Sequence, residues 1–143
     1  RYINFRDRFL AGGIPTAFVR DGKAVPNVPT DTINYKESYD HAASGWGGWV
    51  EVNYMNSYFL NNNNTVGIPA YVIANLNIHK NFEFHNNKWI RFAKFFAEID
   101  NIADKKYAAS GNVVADSTAD ANKTLFFAGY GRSFYAGVTL GLF

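Results

Sequence analysis

The chain contains no cysteine. Disulfide bonds, thiolate metal sites and cysteine nucleophiles are therefore excluded together. A strong charge of either sign is also missing, because fourteen lysines and arginines against twelve aspartates and glutamates leave a net charge of +2. So weak a field favours neither a nucleic-acid partner nor polybasic attachment to a membrane.

Long apolar runs are missing as well. No stretch approaches the roughly 18 apolar residues of a membrane helix, and residues 1–10 do not have the form of a signal peptide. The three histidines lack metal-ligand spacing, and the carboxylates are spread along alternating stretches without a catalytic constellation. The sequence therefore predicts no enzyme, no resident metal and no cofactor.

Aromatic side chains are abundant, at 17% of the residues, with thirteen phenylalanines and nine tyrosines. The mean hydropathy is nevertheless slightly negative. Both properties are expected of a transmembrane β-barrel, because lipid-facing and lumen-facing residues alternate and cancel in an average. A soluble all-β module, for example one that stacks carbohydrate on its aromatic residues, stays open as the alternative.

Two stretches alternate most clearly and predict strands. In Arg132–Phe143 every second residue is apolar from Phe134 to Leu142, and the residues between are small, hydroxylic or amphipathic. In Ala70–Phe84 only Lys80 interrupts the apolar side. The lipid-facing residues expected there are Val72, Ala74, Leu76 and Ile78, and the lumen-facing residues are Asn75, Asn77 and His79.

Weaker alternation predicts further strands, about six in all. They cover Arg1–Phe9, Thr30–Tyr39, Trp46–Phe59 and Trp89–Ala108. Glu37 falls on the apolar side of its strand, where an ionised carboxylate is unfavourable in lipid. We expect a bulge, an interfacial depth or a partner chain at Glu37.

The connections between these strands alternate between long and short. Long loops are predicted at Ala11–Pro29, Leu60–Pro69 and Ser110–Tyr130, and short turns at His41–Gly45 and His85–Lys88. Outer-membrane barrels sort loop length by side in this way. Aromatic residues near the strand ends predict two interfacial girdles. They are Tyr39, Trp46, Trp49, Phe84, Trp89 and Phe143 at the short-turn end, and Tyr58, Tyr71, Tyr107, Tyr130 and Phe134 at the other.

Three motifs resemble the TonB-dependent outer-membrane receptors. GKAVPNVP at Gly22–Pro29 is similar to a loop-to-strand motif of that family, AEIDNIADKKY at Ala97–Tyr107 to its penultimate strand, and GRSFYAG at Gly131–Gly137 to its last strand. One departure is that Leu142, not the terminal Phe143, is in phase with the apolar residues. The resemblance implies an antiparallel up-and-down transmembrane β-barrel, of which residues 1–143 form the C-terminal segment without the plug domain.

The resemblance also implies a function and partners. We expect active transport of a scarce nutrient, such as a ferric siderophore, across the bacterial outer membrane with energy from TonB. The implied partners are the rest of the barrel with its plug, the TonB complex, lipid and lipopolysaccharide, and the barrel-assembly machinery at Arg132–Phe143. A receptor of this family would present aromatic and cationic side chains to an anionic ferric chelate around the last long loop. The candidate residues are Tyr107, Phe126, Phe127, Tyr130 and Arg132, for which interface anchoring is the alternative.

About six strands cannot close a membrane barrel, since the smallest barrels have eight and the plugged transporters about 22. An open sheet in lipid would leave two rows of unpaired backbone groups. We therefore expect the first and last strands to pair with strands outside this sequence.

Overall fold

A computed structural model describes residues 6–11, 14–85, 88–113 and 124–142, with side chains from residue 20 onward. All regular structure in these ranges is β-strand, and the paired strands are antiparallel, which confirms the predicted fold class. Over the same ranges, no helix has the length and apolar character needed to cross a membrane. The strands are β1 Arg6–Ala11, β2 Ile14–Val19, β3 Thr32–His41, β4 Trp46–Met55, β5 Tyr58–Phe59, β6 Gly67–Ile68, β7 Tyr71–Glu83, β8 Ile90–Asp100, β9 Ala108–Val113, β10 Thr124–Ala128 and β11 Ser133–Leu142.

The chain divides into two compact units. The sheet unit comprises Ile33–Tyr54, Val72–Lys106 and Tyr130–Phe143. The loop unit comprises Arg1–Thr32, Met55–Tyr71 and Tyr107–Gly129.

The sheet unit is built on five strands in the order β11-β8-β7-β4-β3. Neighbours in sequence therefore pair, as in an up-and-down meander. β8 joins β7 through the pair Ile78↔Ala97 and joins β11 through Ala97↔Ala136. Residues that pair directly lie on the same side of a sheet, so these three belong to one face.

That register separates the side chains into an apolar face and a polar face. The apolar face contains the rows Leu76, Ile99 and Phe134; Ile78, Ala97 and Ala136; Lys80, Phe95 and Val138; and Phe82, Ala93 and Leu140. The polar face contains the rows Asn77, Glu98 and Tyr135; His79, Phe96 and Gly137; and Asn81, Lys94 and Thr139. The predicted separation of Val72, Ala74, Leu76 and Ile78 from Asn75, Asn77 and His79 is confirmed.

Burial in the sheet is the reverse of that in a water-soluble protein. Ile78 on the apolar face is 52% exposed, whereas Asn77 and His79 on the polar face are 7% and 6% exposed. Ala93 is the buried apolar residue of the sheet unit among the described side chains. A water-soluble sheet would bury the hydrocarbon and leave the amide and imidazole in water.

Both short turns lie at one end of the sheet. The Asn81 amide donates to the Gly45 carbonyl at 2.7 Å, which fastens the first turn beside the end of β7. Gly45 has φ 73°, and a Cβ there would lie 2.4 Å from the Asn81 carbonyl oxygen, so the position requires glycine. The second turn leads from Glu83 to Ile90, and its residues 86 and 87 lie outside the described ranges.

The aromatic residues at the sheet ends follow the predicted girdles with one correction. Trp46 and Trp89 are exposed at the short-turn end, and Tyr130 and Phe134 at the opposite end. Trp49 is wrongly assigned to the girdle, because its ring lies 3.7 Å from the Lys36 ammonium on the polar face. Position near a strand end does not determine which face a side chain occupies. Phe143, also assigned to this girdle, lies outside the described residues.

Lys80 is accommodated without breaking the apolar face. Its Nζ donates to the Ser44 carbonyl oxygen and lies 5.3 Å from the ring centroids of both Trp46 and Phe82. The alkyl stem can thus cover apolar surface while the ammonium reaches the turn, as in snorkelling lysines.

The loop unit contains two-stranded ribbons in which β2, β6, β10 and most of β9 fall in segments for which the sequence predicts loops. β1 pairs with β2, β5 with β6, and β9 with β10. The loop prediction for Ala11–Pro29 is therefore wrong at β2, where Pro15 is tolerated because each strand of a two-stranded ribbon has a free edge. The described part of the predicted first strand, β1, pairs with β2 and not with the five-stranded sheet. Residues 1–5 of that prediction, and 114–123 of the last loop, lie outside the described ranges.

The strand predicted from Trp89 to Ala108 is too long. β8 ends at Asp100 because Asn101 has φ 49°, a left-handed conformation that a strand cannot continue through. Asp104 also has a positive φ of 50°. The segment between β8 and β9 is therefore a turn, and Tyr107 directly precedes a new strand.

Candidate functional site on the polar face and at the base of the last loop

Side-chain hydrogen bonds cross the polar face near the long-loop end of the sheet. Glu51 on β4 accepts from Asn34 on β3 at 3.1 Å and from Asn75 on β7 at 3.2 Å. Asn34 also donates to Asn53. Asn75 in turn accepts from the Asn101 backbone amide at 2.9 Å. One carboxylate and its amide neighbours thus join three strands and the turn that follows β8.

A second group on the polar face lies nearer the short turns. His79 Nε2 and Asp40 Oδ1 are 2.7 Å apart, with the imidazole buried and the carboxylate largely exposed. Gly47, on the strand between them, lies beneath this pair, and an added Cβ would lie 2.1 Å from Asp40 Oδ1 and 2.5 Å from His79 Nε2. Glycine at this position is therefore what allows β3 and β7 to be bridged across β4.

His79 connects further along the same face. Its Nδ1 lies 3.4 Å from the Asn77 side-chain oxygen, and the Asn77 amide donates to Glu98 on β8 at 2.9 Å. Among the described residues, no buried side-chain nitrogen or oxygen lacks a hydrogen-bond partner. Polar groups withdrawn from water are stable only when they are paired in this way.

Aromatic rings cover glycines where the polar face reaches the last strand. An added Cβ on Gly137 would lie 2.6 Å from the Phe96 ring, and one on Gly141 would lie 2.1 Å from the Phe92 ring. The rings of β8 therefore occupy the space that side chains on β11 would need. Such coverage of a strand glycine by a cross-strand aromatic residue fixes the register of the pair.

Asn101 forms the structural centre at the base of the last loop. Asn101 is 2% exposed, and its side chain makes three hydrogen bonds to backbone groups. Oδ1 accepts from the Lys105 amide at 2.9 Å, and Nδ2 donates to the Lys105 carbonyl at 2.9 Å and to the Tyr130 carbonyl at 3.0 Å. These hydrogen bonds hold the turn after β8 against the segment that leads into β11.

Asp104 makes a second connection between the same segments. Its Oδ1 accepts from the Lys106 ammonium at 2.9 Å and from the Arg132 backbone amide at 3.1 Å. The Lys106 hydrogen bond, followed by the Arg132 amide, lowers the pKa of this exposed carboxyl below its usual value. Both contacts favour the ionised form of Asp104.

The predicted ligand-binding residues fall in both units. Tyr130 and Arg132 belong to the sheet unit, and Tyr130 is 88% exposed. Tyr107 belongs to the loop unit, where its ring centroid lies 4.3 Å from that of Tyr71 and its carbonyl accepts from the Gly129 amide. That packing and hydrogen bond hold Tyr107 in place. The role of these residues in ligand binding stays a prediction.

Phe126 and Phe127 lie on β10, in the loop unit. They pair with Gly111 and Ser110 of β9, and both rings are more than half exposed. Because adjacent strand residues point to opposite faces, the two phenylalanines present their rings on opposite sides of the ribbon. One bound molecule contacting a single side of the ribbon would meet only one of them.

No group of three or more histidine or acidic side chains in the described ranges is arranged to hold a metal ion. The carboxylates and the buried imidazole of the polar face are instead engaged in hydrogen bonds between strands. Chemically, the arrangement offers a hydrated or protein-covered surface of fixed donors and acceptors.

Sequence reasoning missed three residues that shape these sites. The strand predicted over Trp89–Ala108 includes Asn101 and Asp104, although asparagine and aspartate are the residues other than glycine that most readily adopt positive φ. Asp40 and its partner His79 are 39 positions apart, so that contact had no local signal. The one available indication for Asn101 and Asp104 was the motif Ala97–Tyr107.

Comparison with known proteins accounts for this architecture. Residues 2–102 match the family model described as TonB dependent receptor-like, beta-barrel. No curated protein matches the chain. The match includes the Gly22–Pro29 motif and four strands of the sheet, and it ends just after β8. The chain belongs to the TonB-dependent receptors, a family of outer-membrane transporters that contain a plug domain and interact with TonB.

Proposed function

We propose that this chain forms part of the wall of a receptor that imports a ferric siderophore across the bacterial outer membrane, energised through TonB. The observation that carries the membrane assignment is the reversed burial of the sheet, with Ile78 exposed and Asn77 and His79 covered. Apolar side chains on the outside and polar ones on the inside suit lipid and a wet lumen respectively. A soluble carbohydrate-binding module would bury the apolar face instead.

The edges of the sheet support a place within a larger barrel. β3 and β11 are the outermost strands of the five, so one side of each lacks a ladder within the sheet. Unpaired backbone groups are unfavourable in hydrocarbon, and further strands of the same barrel would pair with them. The polar face would then meet the plug, through which the TonB complex acts.

Two further partners belong to this proposal. Lipopolysaccharide would surround the long-loop end of the apolar face, where Phe134 is exposed. The segment Arg132–Phe143 would engage the barrel-assembly machinery, because β11 is a regular strand at a sheet edge and can be paired by a templating strand. Transport of this kind needs no covalent chemistry, and we expect no enzymatic activity.

The ligand assignment rests on the aromatic and cationic residues near the last loop. Ferric siderophores are large chelates, often anionic, that aromatic rings and guanidinium groups can hold by stacking and charge. Tyr130 is almost fully exposed, and the Arg132 backbone is held by Asp104, which fixes where its side chain starts. Tyr107, Phe126 and Phe127 complete the proposed set.

Uptake of radioactive iron by cells that carry the full-length receptor tests the proposal. Catecholate and hydroxamate ferric siderophores would be compared in strains with and without TonB. We expect TonB-dependent uptake of one class, and a rise of about tenfold in the half-saturating concentration for Arg132→Gln. Lys105→Gln, which removes an exposed cation from the neighbouring turn, is the matched control and should leave uptake unchanged.

The outcomes separate the parts of the proposal. Uptake of neither siderophore class, with TonB-dependent uptake of another nutrient, would refute the ferric ligand while keeping the transport function. Equal effects of Arg132→Gln and Lys105→Gln would refute the residue assignment. Uptake that does not depend on TonB would refute the transport mechanism.

A further inference from the structure

We propose that Tyr71 and Tyr107 form a site of oxidative modification, at which a peroxidase supplied with hydrogen peroxide joins the two rings as dityrosine. Their ring centroids lie 4.3 Å apart, with an interplanar angle of 38°. Among the described side chains, this is the one pair of phenol rings in direct ring contact. Both residues belong to the loop unit, so the contact lies within one compact part of the chain.

The Tyr107 ring is held in position by the backbone beside it. Its carbonyl accepts from the Gly129 amide at 2.8 Å. A Cβ on Gly129 would lie 2.1 Å from Tyr107 Cζ, so the ring occupies the space that a side chain at Gly129 would need. Tyr71 is the first residue of β7 and is held by the start of that strand. Two reacting groups fixed side by side react far more readily than the same groups free in solution.

The coupling reaction removes one electron and one phenolic proton from each tyrosine. The two phenoxyl radicals then form one carbon–carbon bond between the ring carbons next to their oxygens. The hydrogen on each of these carbons moves as a proton to the neighbouring oxygen, so both rings return to phenols. The pair loses two electrons and two protons in total, and hydrogen peroxide takes them up and becomes two molecules of water.

The surroundings of the pair favour coupling within one chain. Tyr71 and Tyr107 are both half-buried, so a small oxidant can reach the rings while a second receptor molecule is kept at a distance. Tyr130 shows the opposite case. It is 88% exposed, and within the described residues its ring contacts no other aromatic ring. A radical on Tyr130 would therefore find its partner on another molecule.

The new bond would close a covalent loop in the chain. Tyr71 begins β7 and Tyr107 directly precedes β9, so the loop contains β7, β8 and the turn after β8. A cross-link that closes a loop lowers the entropy of the unfolded chain and so stabilises the folded state. Oxidation at this site would strengthen the barrel wall, whereas oxidation of methionine disrupts packing.

Peroxidase treatment of the purified full-length receptor tests the proposal. Mass spectrometry of the digested receptor should find the Tyr71 and Tyr107 peptides joined and lighter by two hydrogen atoms, together with dityrosine fluorescence. We expect the yield of this linked pair to fall at least about tenfold in Tyr71→Phe and in Tyr107→Phe. Phenylalanine keeps the packed ring, and heat-modifiable migration would verify that both variants fold. Tyr130→Phe is the matched control, because it removes the exposed phenol and should leave the yield unchanged.

A second measurement tests the effect on stability. Oxidised wild type should unfold at a higher temperature than untreated receptor, and oxidised Tyr107→Phe should not. A mixture of isotope-labelled and unlabelled receptor separates a link within one chain from a link between two chains. Absence of the linked pair, a link found mainly between two chains, an equal loss of yield in Tyr130→Phe, or a link that leaves the unfolding temperature unchanged would each overturn the proposal.

Discussion

Replacing Asn101 with alanine should open the base of the last loop. The change removes three hydrogen bonds, two to Lys105 and one to the Tyr130 carbonyl, from a site that is 2% exposed. At about 1 kcal/mol each, these bonds contribute about 3 kcal/mol. Alanine at φ 49° adds about 1 kcal/mol of backbone strain. We therefore expect the local free energy of opening to fall by about 3 to 4 kcal/mol.

Hydrogen exchange measured by mass spectrometry on the folded receptor provides the assay. Since 1.4 kcal/mol corresponds to a factor of ten, the protection of the Lys105 amide should fall by roughly two to three orders of magnitude. Asn27→Ala is the matched control, because Asn27 also has a positive φ of 59° but is exposed, and its backbone bond to Phe59 does not depend on its side chain.

The Asn27→Ala control also shows which result would refute the prediction for Asn101→Ala. Asn27→Ala should show only the cost of strain, about 1 kcal/mol at its own site. If Asn101→Ala loses no more protection than that, the three side-chain bonds do not hold the loop base closed. Asn101→Asp keeps the acceptor for the Lys105 amide but places a carboxylate oxygen against the Lys105 and Tyr130 carbonyls, so it should lose at least as much protection as Asn101→Ala.

Two further predictions concern the last strand and its entry. Gly137→Ala would place a methyl group 2.6 Å from the Phe96 ring, so we expect a lower folded fraction by heat-modifiable migration. Gly131→Ala is the control, because its methyl group would meet nothing closer than 3.7 Å, and it should fold normally. Equal losses of folded protein in the two variants would contradict the role of the ring contact. Because Lys106 lowers the pKa of Asp104 from 3.8, the carboxylate stabilises the turn fully above about pH 4, and this stabilisation disappears as the pH falls through the lowered value. Thermal unfolding of wild type and Asp104→Asn should therefore differ at pH 7 and converge in strong acid, whereas a constant difference would refute this linkage.

The strands of the sheet could be predicted because their signal is local. Alternation in Ala70–Phe84 and Arg132–Phe143 depends on residues two apart, and β7 and β11 end within one or two residues of the predicted bounds. The strands β2 and β9 could not be predicted in the same way. Their glycine, proline and polar residues match loop composition, and pairing, which stabilises such strands, is not visible in a single sequence.

The candidate site was harder to predict from the sequence, because its contacts join residues that are far apart in the chain. Position near the last loop pointed to Tyr130 and Arg132, whose backbones are held by Asn101 and Asp104, and their role in ligand binding stays a prediction. The bridge between Asp40 and His79 depends on strand order, and on the absence of a side chain at Gly47. Neither condition can be derived from the spacing of the residues.

The hydrogen bonds of Asn101 and Asp104 at the base of the last loop affect how such receptors can diversify. Asn101 and Asp104 bond to backbone amides and carbonyls of Lys105, Tyr130 and Arg132. Every amino acid provides these backbone groups, except that proline lacks the amide hydrogen. The residues that follow Tyr107 can therefore change in type and number while the two ends stay anchored. Loops of different length and sequence could therefore be exchanged between these anchors without rebuilding the barrel.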